Sequence, residues 1–222
     1  MFVGGGKDAE PLGWFQLGEA ILGTSSDSND DLGESMAMNA NGTIIAVGAP
    51  QLPGCAPESS PGYVQVRRWN AGAFHWEPLG DQLSGMYAED EFGKTVALSS
   101  DGMVLAVGAP QTKREFGVGY GGGRGYVTIY RYNKESNIWE QLHRLTTGSD
   151  AHKKEFGSAL VMSASGETIA VGCEFNSNRK MLVQVFRFDA VAGGFIRLGQ
   201  SFQKQNTTSW DVSERVCSVN GE

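Results

Sequence analysis

Cysteine and histidine are scarce in this chain, with three of each among 222 residues. Cys55, Cys173 and Cys217 are odd in number and show no Cys-x-x-Cys spacing, so neither a full disulfide framework nor a zinc site is predicted. Cys173 stands where two other copies of a repeated phrase carry alanine, which predicts a small buried side chain. Cysteine usage leaves the cellular compartment open.

Positive charge and long apolar runs are also lacking. The net charge is -7, which argues against nucleic acid or an anionic membrane as a partner, since both need a basic face. The longest apolar stretches, such as 104–109, are too short to cross a bilayer, so membrane insertion is not expected. Residues 1–13 have no apolar core of a signal peptide, and we expect them to be a disordered segment.

What the chain does contain is glycine, 31 residues of it, much of it in a phrase repeated three times. The turn glycines of the three copies are 60 and then 64 residues apart, which indicates an array of like structural units. Each copy has Leu-Gly or Phe-Gly, then a turn glycine, then a glycine that closes an apolar run: Leu32, Gly33, Gly42 and Gly48; Phe92, Gly93, Gly102 and Gly108; Phe156, Gly157, Gly166 and Gly172.

Each copy predicts four short strands, and no segment shows sustained helical periodicity. The first strand of each copy follows the Leu-Gly or Phe-Gly pair, and the second is nearly all apolar, as in a strand buried on both faces. The third alternates aromatic and β-branched residues, as in 63–69, 126–132 and 182–188. Between the first and second, Asn-Gly or Asp-Gly predicts a two-residue hairpin turn in which both central residues have positive φ.

Four antiparallel strands in units of roughly 60 residues predict an all-β fold made of β-propeller blades. We expect residues 14–222 to form these repeats, with a fourth strand at Trp14–Gly18 lacking its partners. About three blades plus partial ones fall short of the roughly 4–8 blades of a closed ring, so an incomplete ring is predicted. The expected units are 14–24 (partial), 32–85, 92–148, 156–203 and 211–222 (partial).

The units resemble FG-GAP repeats, the blades of integrin alpha-chain propellers. The Phe-Gly pairs and the Gly-Ala-Pro that ends the second strand, at 48–50 and 108–110, carry the resemblance over about residues 14–200. It implies a propeller of about seven blades and, in integrin-type blades, calcium in an Asp-rich loop. Here that loop is a short hairpin such as 99–102, which offers too few oxygens for the six to eight that calcium takes.

Asp27, Asn29 and Asp31 are the candidate metal ligands, because they have the Asp-x-Asn-x-Asp opening of a calcium loop. The glycine is displaced and no distal glutamate closes the site, so a solvated polar turn is the favoured interpretation and no metal site is predicted. We expect no bound cofactor.

The remaining motifs are a glycine motif, three histidines and two sequons. Residues 117–122 match Gly-x-Gly-x-x-Gly, but a strand follows instead of the helix that would face a pyrophosphate, which predicts a loop. The histidines, His75, His143 and His152, occupy unrelated repeat positions, so no catalytic triad is predicted. The sequons at Asn41 and Asn206 matter only in the secretory pathway.

Two sets of residues recur at one repeat position. Trp14, Trp76, Trp139 and Phe195 are predicted to pack between blades. Glu34, Lys94 and Ser158 are predicted to project near the central channel if the first strand is innermost.

The leading hypothesis is a non-catalytic propeller segment for protein–protein or cell-surface recognition, including adhesion. Its binding face would be the variable loops 51–62, 111–125 and 175–181. The alternative is part of a carbohydrate-binding or carbohydrate-acting propeller whose site lies on missing blades, and a third interpretation is a degenerate product with no independent fold. The missing blades leave three possibilities: a truncated piece, a second copy or another protein that completes the ring, or an open arc. The resemblance suggests an extracellular or cell-surface location.

Overall fold

The computed structural model describes residues 13–24, 30–51, 60–111, 123–147, 153–175 and 180–203. The element order across these ranges consists of strands alone. Within the described residues, no helix has the length and apolar character needed to cross a membrane.

In the described ranges, thirteen strands form three antiparallel sheets, and each main sheet follows the chain order of its strands. Blade 1 is β1–β4 with a short added strand β5 that pairs with β3, blade 2 is β6–β9, and blade 3 is β10–β13. The bounds are β1 Ser35–Met38, β2 Ile44–Ala49, β3 Tyr63–Asn70, β4 His75–Pro78, β5 Leu83–Ser84, β6 Thr95–Leu98, β7 Val104–Ala109, β8 Tyr126–Asn133, β9 Ile138–Thr146, β10 Lys153–Met162, β11 Thr168–Phe175, β12 Lys180–Asp189 and β13 Gly194–Gln203.

This architecture confirms the predicted all-β fold with blades of four antiparallel strands. Two details differ. The predicted strand at Trp14–Gly18 is not a strand in the structure, and β5 was not predicted. Residues 14–18 have no described neighbouring strand to pair with, and the Leu17 carbonyl accepts a hydrogen bond from the Trp76 indole of blade 1.

The core lies between consecutive blades. One apolar cluster joins blades 1 and 2, with Val64 and Val66 of β3 facing Leu105 and Val107 of β7. A second joins blades 2 and 3, with Val127 and Ile129 of β8 facing buried residues of β11 and β12. Alternation along each strand therefore buries both faces of the middle blade. The face of blade 1 that points away from blade 2 is partly covered by residues 22–24, which bond to Tyr63 and Gln65.

The turn between the first and second strands differs from the predicted two-residue hairpin. Gly42 has φ of 71°, but Asn41 is not among the residues of positive φ, and the Gly42 amide donates to the Asn39 carbonyl at 3.0 Å. The connection is a wider turn closed by a bond from the Asn39 amide to the Ile44 carbonyl. The extra length lets the Ala40 amide donate to the Ser100 carbonyl of blade 2, so the turn serves packing between blades.

Candidate interaction surfaces

The Phe-Gly pairs of blades 2 and 3 each dock on the blade before them. The Ser35 hydroxyl of blade 1 donates to the Gly93 carbonyl of blade 2 at 2.6 Å, and this carbonyl lies directly over the Cα of Gly48. Any Cβ at Gly48 would overlap the Gly93 carbonyl. Glycine closes this strand because another backbone approaches it closely.

The same contact recurs one blade later. The Thr95 hydroxyl donates to the Gly157 carbonyl at 2.6 Å, over the Cα of Gly108. At the third blade the series ends, because Ala159 stands where Ser35 and Thr95 supply the hydroxyl. A Cβ on Gly172 would meet only Ala159 within 3.4 Å.

A second glycine receives the aromatic residue of the docking pair. The Phe92 amide donates to the Pro61 carbonyl at 2.9 Å, and the Phe92 backbone fills the space beside Gly62, whose φ is 80°. Phe156 lies against Gly125 in the same way, while the equivalent residue of blade 3 is Met181, which continues into β12 instead of turning. Blade 3 therefore lacks two features that receive a following Phe-Gly pair in the other blades. These are the hydroxyl, where Ala159 stands, and the second glycine, where Met181 stands.

A buried polar cluster, which sequence reasoning missed, ties the start of blade 2 to its own sheet. The Asp90 carboxylate is fully buried and accepts hydrogen bonds from the Tyr126 hydroxyl and the Gln111 amide, each at 2.6 Å. It also accepts from the backbone amides of Met86 at 3.1 Å and Tyr87 at 3.0 Å. Burial, and then the hydrogen bond to Asp90, raise the pKa of Tyr126 well above its ordinary value.

Blade 1 carries a looser version of this cluster. The Tyr63 hydroxyl donates to the Asp30 carboxylate and accepts from the Thr24 amide at 3.1 Å. Burial and the bond to Asp30 raise the pKa of Tyr63. The third copy has Lys154 and Leu182 at the Asp and Tyr positions, so it cannot form the cluster. The cluster thus belongs to the first two copies.

The recurring aromatic position does pack between units, with one exception. The Trp139 indole is buried and donates to the Leu79 carbonyl of blade 1 at 2.8 Å, and the Trp76 indole donates to the Leu17 carbonyl at 2.9 Å. Phe195 is buried without such a bond, since it has no donor. Trp14 is fully exposed, so the prediction that it packs between blades is wrong for the residues described.

The outward face of blade 3 repeats the pattern of faces that are buried elsewhere. Val183 and Val185 occupy the positions of Val127 and Ile129, both 0% exposed, yet they are only partly buried. Around them Met181 is 51% exposed. Phe202 and Ile196 pair across the sheet with residues of this face and are 66% and 42% exposed. No other described segment covers this apolar sheet face.

The inner strands carry the residues predicted to line a channel. Lys94 and Glu34 form an ion pair of 2.8 Å between blades 2 and 1. The hydrogen bond from Lys94, together with its charge, holds the pKa of Glu34 below its ordinary value. The Ser158 hydroxyl donates to the Gly172 carbonyl at 3.4 Å within blade 3. Glu34 and Lys94 therefore pair with each other, Ser158 bonds within blade 3, and the three residues do not form one cluster.

The candidate metal ligands are only partly described. Asp27 and Asn29 lie outside the described residues, and the Asp31 carbonyl accepts from the Glu34 amide at 3.1 Å. Asp31 has φ of 52°, and Glu91 and Glu155 share this conformation before their Phe-Gly pairs. The residue thus starts the turn before the Leu-Gly pair, and the interpretation of this loop as a polar turn without metal stays a prediction.

Several other predictions also concern residues outside those described. These are the glycine motif at 117–122, His152, Cys55, Cys217, the sequon at Asn206, the partial unit 211–222, and segments 52–59, 112–122 and 176–179 of the variable loops.

The remaining predicted residues have structural surroundings. His143 lies 6.2 Å from Phe195 between their ring centroids, at the seam of blades 2 and 3. Cys173 is buried in the same seam. The Asn41 side chain accepts from the Thr43 hydroxyl at 2.5 Å within the turn, and His75 is exposed on β4.

Comparison with known proteins supports the fold and no more. No protein-family model and no curated protein sequence matches the chain. Among solved structures it is similar to Sqt1 of Saccharomyces cerevisiae, with a TM-score of 0.52 and 12% identity, over 82% of this chain.

Two further similarities are lower. The C-terminal WD40 domain of Sif2 matches with a TM-score of 0.42 and 13% identity, covering 78% of this chain and 37% of that one. The periplasmic gluconolactonase PpgL of Pseudomonas aeruginosa matches with a TM-score of 0.41 and 10% identity, covering 80% of this chain and 58% of that one. The chain spans 39% of the Sqt1 chain. Sqt1 is a β-propeller, and its similarity supports the three sheets as propeller blades in a ring that the described residues do not close.

Proposed function

We propose that the chain is a non-catalytic, FG-GAP-like propeller segment that binds another protein through the outward face of blade 3. The observation that carries the proposal is the exposure of an apolar face whose counterparts in blades 1 and 2 are buried by the following blade. Exposed apolar faces of this kind mark sites of protein association.

The proposed partner is a different protein and not a second copy of this chain. A second copy would present its own Leu32–Gly33 to blade 3, as Phe92–Gly93 is presented to blade 1. Docking in that manner needs a glycine where Met181 stands and a hydroxyl where Ala159 stands. The start of blade 1 and the outward face of blade 3 therefore do not fit each other in this docking mode.

The inner strands favour a binding role over glycoside chemistry. Glycosidases of the common types use two carboxyl groups that flank the scissile bond. Among the inward residues Glu34, Lys94 and Ser158 there is one carboxylate, and it is already paired with Lys94. These three positions therefore provide no second carboxyl group for glycoside chemistry, and the carbohydrate alternative needs a site on other blades.

Site-specific photo-crosslinking tests the proposal. A photo-crosslinking phenylalanine analogue at Val183, in extracts of the source cells, is expected to give a discrete protein adduct. The same analogue at Val191, which is fully exposed in a turn outside the face, is the matched control and should give none.

Competition by unlabelled chains then shows whether the adduct forms through this face. Excess unlabelled wild-type chain should remove the adduct, whereas the Val183→Lys variant should not, because a lysine on this face opposes burial. Adducts of equal strength at both positions, or removal by Val183→Lys, would contradict the proposal. Glycan-array binding that both chains share would point to carbohydrate instead.

A further inference from the structure

The outward face of blade 1 carries an arginine where the other blades carry a buried aromatic residue. Arg67 occupies the repeat position of Tyr130 and Phe186, which are 8% and 7% exposed. Those rings meet Phe92 and Phe156 edge to face, with centroids 6.5 and 6.0 Å apart. Blade 1 lacks this aromatic pair, because leucine replaces its phenylalanine at position 32.

The guanidinium of Arg67 is held in place from one side. The side-chain oxygen of Gln65 accepts from Arg67 Nη2 at 2.6 Å and from Nε at 3.2 Å, and Gln65 is 4% exposed. The Gln65 amide in turn donates to the Leu22 carbonyl at 3.4 Å. Within the described ranges, no carboxylate lies within 4.0 Å of Arg67, and its Nη1 has no hydrogen-bond partner.

Arg67 faces a hollow between blade 1 and residues 19–22. The hollow has a volume of about 530 Å³, and its walls include Phe74, His75 and Trp76. A volume of a few hundred Å³ accommodates a short peptide segment or a small ligand. Glu19 is the one carboxylate among the lining residues, so the site combines a cation, two aromatic walls and one competing acid.

From this arrangement we propose that the hollow binds an acidic side chain of a partner peptide, with the carboxylate on Arg67. Guanidinium groups bind carboxylates through parallel N–H bonds, and aromatic walls take the apolar residues that flank the acid. This surface lies on blade 1, so it is separate from the blade 3 face and does not depend on it. Its partner class is an acidic peptide segment.

Fluorescence polarisation with blocked heptapeptides tests the inference on the full chain. One pool carries a central glutamate or aspartate between randomised valine, leucine, phenylalanine and serine residues, and the other pool carries glutamine or asparagine at the same position. The acidic pool is expected to bind at least about tenfold more tightly, as a charge-assisted hydrogen bond provides. Equal binding of the pools, or no binding of either, would overturn the inference.

Two neighbouring arginines supply matched variants. Arg67→Gln is expected to weaken the binding of the acidic pool by about tenfold or more, whereas Arg68→Gln should leave that binding unchanged. Arg68 points to the opposite face of the strand and pairs with Glu77 at 2.7 Å. Glu19→Gln should strengthen binding, since it removes the competing carboxylate. An equal loss in Arg68→Gln, with unchanged circular dichroism in both, would show that only net charge matters and would overturn the site.

Discussion

Replacing Gly108 by alanine is expected to lower the free energy of unfolding by about 3 kcal/mol, the scale of overpacking in a core that cannot yield. The added Cβ would overlap the Gly157 carbonyl of blade 3 and the Thr95 hydroxyl that binds it. Both obstacles are parts of one docking contact, so the clash cannot be relieved without separating blades 2 and 3. Urea denaturation of the purified variant measures the loss.

Gly172→Ala is the matched control for this substitution. Gly172 holds the same repeat position in blade 3, and only the Ala159 side chain lies within 3.4 Å of its Cβ. The expected change is within about 1 kcal/mol, as for substitutions outside tightly packed contacts. If the two variants lost equal stability, the docking of the Phe-Gly pair would not be the reason for glycine at this position.

Replacing Asp90 by alanine is expected to lower the free energy of unfolding by about 3 kcal/mol, because it leaves two buried donors and two partly buried ones without their acceptor. The donors are the hydroxyl of Tyr126, the side-chain amide of Gln111 and the backbone amides of Met86 and Tyr87. The variant should unfold at a clearly lower urea concentration than the wild type.

The companion variant is Asp30→Ala, at the equivalent position of blade 1. Asp30 is only partly buried and binds the Tyr63 hydroxyl and the Leu32 amide. Because water can replace part of these bonds, the expected loss is about 1 kcal/mol. A loss for Asp30→Ala as large as that for Asp90→Ala would show that burial of the cluster is not what sets its contribution.

The blades were predictable because their signals are local and repeated. Alternation in 63–69, 126–132 and 182–188 indicates strands without any knowledge of neighbours, and the recurring glycines mark where each copy starts and turns. The turn type was not predictable in this way. Asn41–Gly42 is typical of a two-residue hairpin, but the connection is longer in all three blades, and the side chain of Asn39, Ser99 or Ser163 at its start accepts a hydrogen bond from a backbone amide at its end.

The polar cluster and the arginine were missed for a different reason. Asp90, Gln111 and Tyr126 are 21 and 36 residues apart in the bonded pairs, so no local pattern joins them. Comparison of copies would have shown a signal, since Asp30 and Tyr63 stand at the equivalent repeat positions in the first copy, two residues before the Leu-Gly pair and at the start of the third strand. The same alignment sets Arg67 against aromatic residues, but its meaning depends on the hollow beside it.

Light scattering behind size exclusion gives the solution mass of the wild-type chain and so shows whether two copies associate. We propose that the outward face of blade 3 binds a different protein and not blade 1 of a second copy. This proposal predicts a single monomeric species with a mass of 23.8 kDa. A defined species of twice that mass, which Val183→Lys converts to one chain, would contradict the claim and make a second copy the partner of blade 3.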